Sequence, residues 1–142
     1  MGNHPKVLLV EDDRLERMNL TLVLRREGFD LDVAACAADA YGFIGRGHYE
    51  VVVTDIGLPD ESGWEVLHAA KRADPLTKVL LVTGSQSQVT VAQAKSEGAE
   101  SLILKPFALA LLIATVREMI ASGAQARALD PNHPDDRPPG RP

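Results

Sequence analysis

The stretch Val51-Val52-Val53-Thr54-Asp55-Ile56-Gly57-Leu58-Pro59-Asp60-Glu61-Ser62-Gly63 decides how the rest of the chain is read. Three consecutive β-branched apolar residues mark a short strand buried on both faces, as strands inside parallel sheets are. A carboxylate, Asp55, closes the strand, and a loop containing Gly, Pro and Ser follows. In open parallel sheets, ligands and chemistry collect just beyond the carboxyl ends of the strands. One Asp in such a place is a weak signal, because many only cap the next turn or helix. Its meaning depends on what the other strands deliver to the same edge.

Upstream, Lys6 to Val10 (KVLLV) reads as a strand that runs into Glu11-Asp12-Asp13. From Arg14 to Glu27 the apolar residues Leu15, Met18, Leu22 and Val23 recur at helical spacing, and Gly28 stops the predicted helix. Phe29 to Ala35 contains a second strand, and Ala37 to Gly45 a second helix. Downstream, Ser62 or Gly63 starts a helix with Trp64, Leu67 and Ala70 on one face, ended by Asp74-Pro75. Lys78 to Val82 repeats KVLLV and closes on Thr83-Gly84-Ser85. The repeat reflects equivalent buried strands and no internal duplication. Gln86 to Glu97 predicts a helix, and Ser101 to Leu104 a fifth strand followed by Lys105-Pro106-Phe107. A last helix spans Ala108 to Ala121, with Leu109, Leu112, Ile113, Val116 and Ile120 on its apolar face. Strand and helix alternating five times imply a parallel sheet covered by helices on both sides.

Composition narrows the function classes. The 142 residues are 45% hydrophobic and 25% charged, which suits one ordinary folded domain. From Gly123 onward the character changes. Residues 123–142 hold five prolines and almost no large apolar side chain, so they read as a disordered Pro-rich tail after a domain over 1–122. A net charge of −5 argues against a basic nucleic-acid footprint. The apolar runs fall short of the roughly 20 residues a membrane helix needs, so no membrane association is expected. The N-terminus shows no signal-peptide core, and Lys6 stands where a myristoylation signal places Ser or Thr. A single cysteine, Cys36, forms no internal disulfide, which suits a reducing, cytoplasmic setting. His4, His48, His68 and His133 show no zinc-ligand spacing. Trp64 reads as a packing residue, and Arg14, Arg17, Arg25 and Arg26 suit a face for an acidic partner and a solvated helix face equally well.

Four of the five strands end in chemically useful groups: Glu11/Asp12, Asp55, Thr83 and Lys105. In a parallel sheet those ends share one edge. Clustered acids repel one another unless a cation compensates, and carboxylate oxygens are the ligands that Mg²⁺ prefers. Lys105 adds a compact positive charge for a phosphate oxygen, and Thr83 adds a hydroxyl. Acids, metal, ammonium and hydroxyl together suit phosphoryl transfer to a carboxylate, where catalysis is mostly positioning and charge neutralisation.

These motifs resemble the receiver domain of bacterial two-component response regulators, over about Lys6 to Ser122. The steps are 43 residues from Asp12 to Asp55, 28 from there to Thr83 and 22 more to Lys105. The pattern D-x-x-x-P-x-x-x-G is present as Asp55, Pro59 and Gly63, and K-P-F as Lys105-Pro106-Phe107. The resemblance implies a flavodoxin-like, doubly wound α/β fold with five helices and a five-stranded parallel sheet of order 2-1-3-4-5. It makes Asp55 the phosphoacceptor, loaded from a phosphohistidine on a sensor histidine kinase or a histidine phosphotransfer protein. Mg²⁺ would be held by Glu11, Asp12, Asp55 and the Gly57 backbone carbonyl, with Asp13 an outer neighbour. Thr83 would hydrogen-bond the phosphoryl group, Lys105 would ion-pair with it, and Lys105-Pro106 would be cis. Such a protein is a switch that assists its own phosphorylation and dephosphorylation rather than an enzyme.

Two departures from the family pattern stand out. Leu102 occupies the place where an aromatic commonly follows the threonine inward. Gly57 and Ser85, two residues beyond Asp55 and Thr83, are small, so water access to an acyl phosphate is not sterically slowed there. With the domain expected to fill the chain, output is expected through a downstream protein target, without direct nucleic-acid contact, and a homodimer is compatible with it. The alternative is a phosphoryl carrier that returns the group to a histidine phosphotransfer protein. A phosphatase of the Asp-x-Asp type is disfavoured by Gly57, and a Gly-x-Gly-x-x-Gly nucleotide site by Glu11-Asp12-Asp13.

Overall fold

The computed structural model describes residues 4–84 and 87–129. Five strands, β1 (Lys6–Val10), β2 (Asp30–Ala34), β3 (Val51–Asp55), β4 (Lys78–Gly84) and β5 (Ser101–Lys105), alternate with five helices. The helices are α1 (Arg14–Arg26), α2 (Ala37–Arg46), α3 (Gly63–Ala73), α4 (Val91–Ser96) and α5 (Leu109–Ala128). The strands pair in parallel in the order β2-β1-β3-β4-β5. The doubly wound α/β fold is therefore present.

Alternation along the strands divides the core in two. Leu8, Val10, Val52, Val79, Leu81 and Leu102 point to the side covered by α2, α3 and α4. Val7, Leu9, Val51, Val53, Leu80, Val82 and Ile103 point to the side covered by α1 and α5. Successive side chains of a strand face opposite ways, so the apolar runs of β1, β3 and β4 feed both layers at once. Trp64 packs half-buried against the first of these layers.

Three elements differ from their sequence expectation. On α1 the core-facing residues are Leu20 and Leu24, whereas Leu15, Met18 and Leu22 are exposed. Both apolar stripes have helical spacing, and only packing on the sheet chooses between them. Helix α4 begins at Val91 rather than Gln86. Thr90 accepts a hydrogen bond from the Gln93 N–H, and the Gln93 side chain accepts one from the Thr90 N–H, a capping box that starts the helix there. Helix α5 continues to Ala128, so the expected domain end at 122 falls inside it. Gly123 packs against the Lys78 side chain, and the Arg127 guanidinium reaches Asp74 at 3.2 Å, so this last stretch is anchored on the domain. The rest of the expected tail, 130–142, lies outside the described residues, as does Ser85. At 20 residues, α5 also reaches membrane-spanning length and mean hydropathy, yet it packs Leu112, Val116 and Met119 into the core and carries Arg117 and Glu118.

Candidate functional site

The same alternation sorts the carboxyl edge of the sheet. In β1, Val7 and Leu9 face the α1/α5 layer, and Glu11 is next in that series. In β3, Val51 and Val53 precede Asp55, and in β5 Ile103 precedes Lys105. One parity on three strands thus delivers two acids and an ammonium to one side of the edge. Thr83 continues the opposite series of Val79 and Leu81, and pairs in register with Leu104. It is buried at the end of β4, one residue beyond Val82, the register partner of Asp55.

Lys105 Nζ lies 2.8 Å from Asp55 Oδ2, 3.1 Å from Glu11 Oε1 and 2.6 Å from Glu16 Oε1. Burial alone would pull the ammonium pKa down. Hydrogen bonds to Asp55, Glu16 and Glu11 together outweigh it and hold the pKa above its ordinary value. Glu11 is only 2% exposed, and that burial pushes its carboxyl up to about 7 despite Lys105 and the Asp13 N–H beside it.

Glu11, Asp12 and Asp55 each offer a carboxylate oxygen, all within 4.8 Å of one another. That donor set is all hard oxygen and compact enough for one small dication, so it fits Mg²⁺. Asp13, next in the acidic run, is instead the N-cap of α1, its Oδ1 accepting the Glu16 N–H at 3.0 Å. Arg17 donates to the carbonyl oxygens of Glu11 and Asp12, both at 3.1 Å, and so fixes the backbone of the acidic turn.

The loop after Asp55 is closed on itself. The Gly57 N–H donates to Asp55 Oδ1 at 3.2 Å, the Gly63 N–H donates to the Ile56 carbonyl at 2.7 Å, and Gly57 bridges Ser62. A Cβ at Gly63 would lie 2.8 Å from Ile56 Cα and closer still to the Asp55 carbonyl oxygen, so only glycine fits. The Asp60 carboxylate accepts the Ala37 and Ala38 N–H groups, each at 2.9 Å. Cys36 at the N-cap of α2 supplies no side-chain bond, and Asp60 does that work from a distant loop. The two amides hold the Asp60 carboxyl below its usual range. Glu61 accepts the Tyr41 hydroxyl at 2.5 Å, a second tie between loop and α2.

Glu16 and Asp60 are functional neighbours that the sequence did not single out, and Arg17, read there only as part of a helix face, ties down the acidic turn. Glu16 had one available signal, its place in the first turn of the helix that follows the acidic run. Asp60 had none, since its partners lie more than 20 residues upstream. Leu102 is seated inward at 8% exposure with the α4-side core, and Lys105-Pro106 is cis.

A family profile for the response regulator receiver domain matches residues 7–117. The chain belongs to the response regulator receiver domains. The receiver is 37% identical over 115 residues to the transcriptional regulatory protein PmrA of Pectobacterium parmentieri, covering 81% of this chain and 52% of that protein. It thus spans about half the length of the curated relatives it matches first. Among solved structures, the receiver resembles a CheY-like receiver domain protein from Methanospirillum hungatei JF-1 with a TM-score of 0.81 and 27% identity, over 87% of this chain and 99% of that one. It also matches the solution structure of the beryllofluoride-activated NtrC4 receiver domain dimer, with a TM-score of 0.77 and 27% identity, over 87% and 99%.

Proposed function

We propose that this receiver accepts a phosphoryl group on Asp55 from a phosphohistidine of a sensor histidine kinase or histidine phosphotransfer protein. Mg²⁺ would be held by Glu11, Asp12, Asp55 and the Gly57 carbonyl. The observation that carries the reading is the convergence of Glu11, Asp12, Asp55 and Lys105 from separate strands and turns. In the transfer, an Asp55 carboxylate oxygen attacks phosphorus while the P–N bond to the donor imidazole breaks, and the imidazole nitrogen leaves with the electron pair. Bound Mg²⁺ would supply charge neutralisation for the phosphoryl oxygens. Lys105 neutralises a further oxygen, and the Thr83 hydroxyl donates to another once it turns toward the edge. The loop stapled by Asp60 holds the Gly57 backbone in place.

A groove of about 410 Å³ runs between α1 and the β5–α5 turn, lined in part by Leu20, Leu22, Val23, Lys105 and Phe107. It is the face we assign to the phosphodonor. The added negative charge biases the face around Thr83, Leu102 and Leu104, and that change is read by a downstream protein or a second copy of the chain. A cytoplasmic location belongs to the same reading.

The test is mass spectrometry after treatment with a small phosphodonor and Mg²⁺. One added phosphoryl group that vanishes in Asp55→Asn is expected; modification persisting in that variant would overturn the assignment. Reversible exchange of the group with a histidine phosphotransfer protein would favour the carrier role, and phosphate-dependent capture of a target the binding role.

A further inference from the structure

We propose that Glu16 is a built-in competitor of the phosphoryl group, holding Lys105 in the unphosphorylated state and giving it up when the group arrives. An ammonium has three N–H donors and no more. Lys105 faces three carboxylates: it donates to Asp55 at 2.8 Å and to Glu11 at 3.1 Å, and Glu16 stands 2.6 Å from it as an ion pair. A phosphoryl oxygen that pairs with Lys105 therefore competes with these carboxylates for it.

The three are not equally displaceable. Asp55 itself carries the incoming group, so its contact passes to the phosphoryl oxygens, and the Glu11 side chain, 3% exposed, cannot recover water in exchange for a lost contact. The Glu16 side chain is 44% exposed and projects from the first turn of α1, where water can take the place of Lys105 at small cost. The shortest contact of the three is thus the one that yields. Glu16 also adds a fourth carboxylate next to the place an incoming dianion must occupy, which disfavours entry by like-charge repulsion. Because Glu16 lines the groove between α1 and the β5–α5 turn, a donor seated there meets this carboxylate directly. Glu16 is then a positioning residue that acts through Lys105.

The inference rests on the phosphoacceptor reading, and beryllofluoride separates the two. The full chain and its Glu16→Gln and Glu16→Asp variants are titrated with beryllofluoride at fixed, saturating Mg²⁺, with binding read from Trp64 fluorescence or amide spectra. Glu16→Gln is expected to bind about two- to fivefold more tightly, the span of an exposed ion pair that no longer has to be given up. Glu16→Asp keeps the charge but loses the reach, and is expected to fall between. A merely structural role for Glu16 would weaken binding or leave it alone. Unchanged or weaker binding in Glu16→Gln, with the parent binding normally, overturns this inference and leaves the phosphoacceptor reading standing. Glu16→Asp equal to the parent overturns the contact mechanism. A parent chain that binds no beryllofluoride overturns both readings.

Discussion

Lys105 Nζ sits 2.8 Å from Asp55 Oδ2, a contact between residues 50 positions apart that joins the strand at one edge of the sheet to its centre. It sets a cation against an acidic cluster whose members would otherwise repel one another. Lys105→Met removes that cation and leaves Glu11 and Asp55 facing each other. We expect a loss of about 1–3 kcal/mol at neutral pH in chelator, less than a fully buried pair would cost because the lysine is partly exposed. Mg²⁺ should return part of that loss, while loading from a small phosphodonor falls by more than about tenfold. Urea denaturation with and without Mg²⁺ measures the first effect; equal stability of variant and parent in chelator would contradict it.

The raised Glu11 pKa has a definite sign. Between its ordinary 4.5 and about 7, the folded protein keeps a proton that the unfolded chain has released. The Glu11 contribution to stability therefore falls as pH rises through that window, and the penalty is complete above it. Binding of Mg²⁺ needs the carboxylate and expels the proton below pH 7. Apparent Mg²⁺ affinity should rise with pH by up to about tenfold per unit below about pH 7 and level off above. Calorimetric titration of Mg²⁺ at several pH values checks this, and Glu11→Gln should flatten the slope.

Gly63 and Gly57 share a loop but should respond oppositely to a side chain. Gly63→Ala drives a Cβ into the Asp55 and Ile56 backbone and should cost about 1–3 kcal/mol or more, as overpacking does. Gly57→Ala meets open space and should stay within about 0.5 kcal/mol of the parent. Thermal unfolding of the pair decides it, and similar losses in both would count against the loop geometry.

A Cβ at Gly57 would meet nothing within 4 Å, so on the proposed function no side chain there shields an acyl phosphate on Asp55 from water. Gly57→Met is expected to fill that space and lengthen the life of the phosphorylated form severalfold, with loading still confined to Asp55. The decay rate of phosphoprotein in chelator is the measurement. An unchanged rate would show that water arrives by another route.

Much of this was legible in the chain as written. Val51-Val52-Val53 and the two KVLLV runs mark buried strands by residue type alone, and the terminal acids and lysine can be read straight after them. On α1 the sequence is ambiguous, because Leu15, Met18 and Leu22 satisfy the same period as Leu20 and Leu24. Periodicity finds a helix but cannot say which of two stripes meets the sheet. Helix α5 outruns its expected end because residues after Ser122 carry almost no large apolar side chain, and the packing of Gly123 on Lys78 is invisible without the fold.

The α/β alternation and the identity of the edge groups follow from residue order alone, since strand burial and side-chain alternation are local properties. Packing in three dimensions sets the rest: Glu16 joins the carboxylates around Lys105, Asp60 caps α2 from the loop after Asp55, and an apolar stripe of α1 is left facing solvent. Each of these depends on where a side chain meets a partner brought close by the sheet. Hydrogen-bond saturation and burial are properties of that meeting, and no spacing along one segment encodes them.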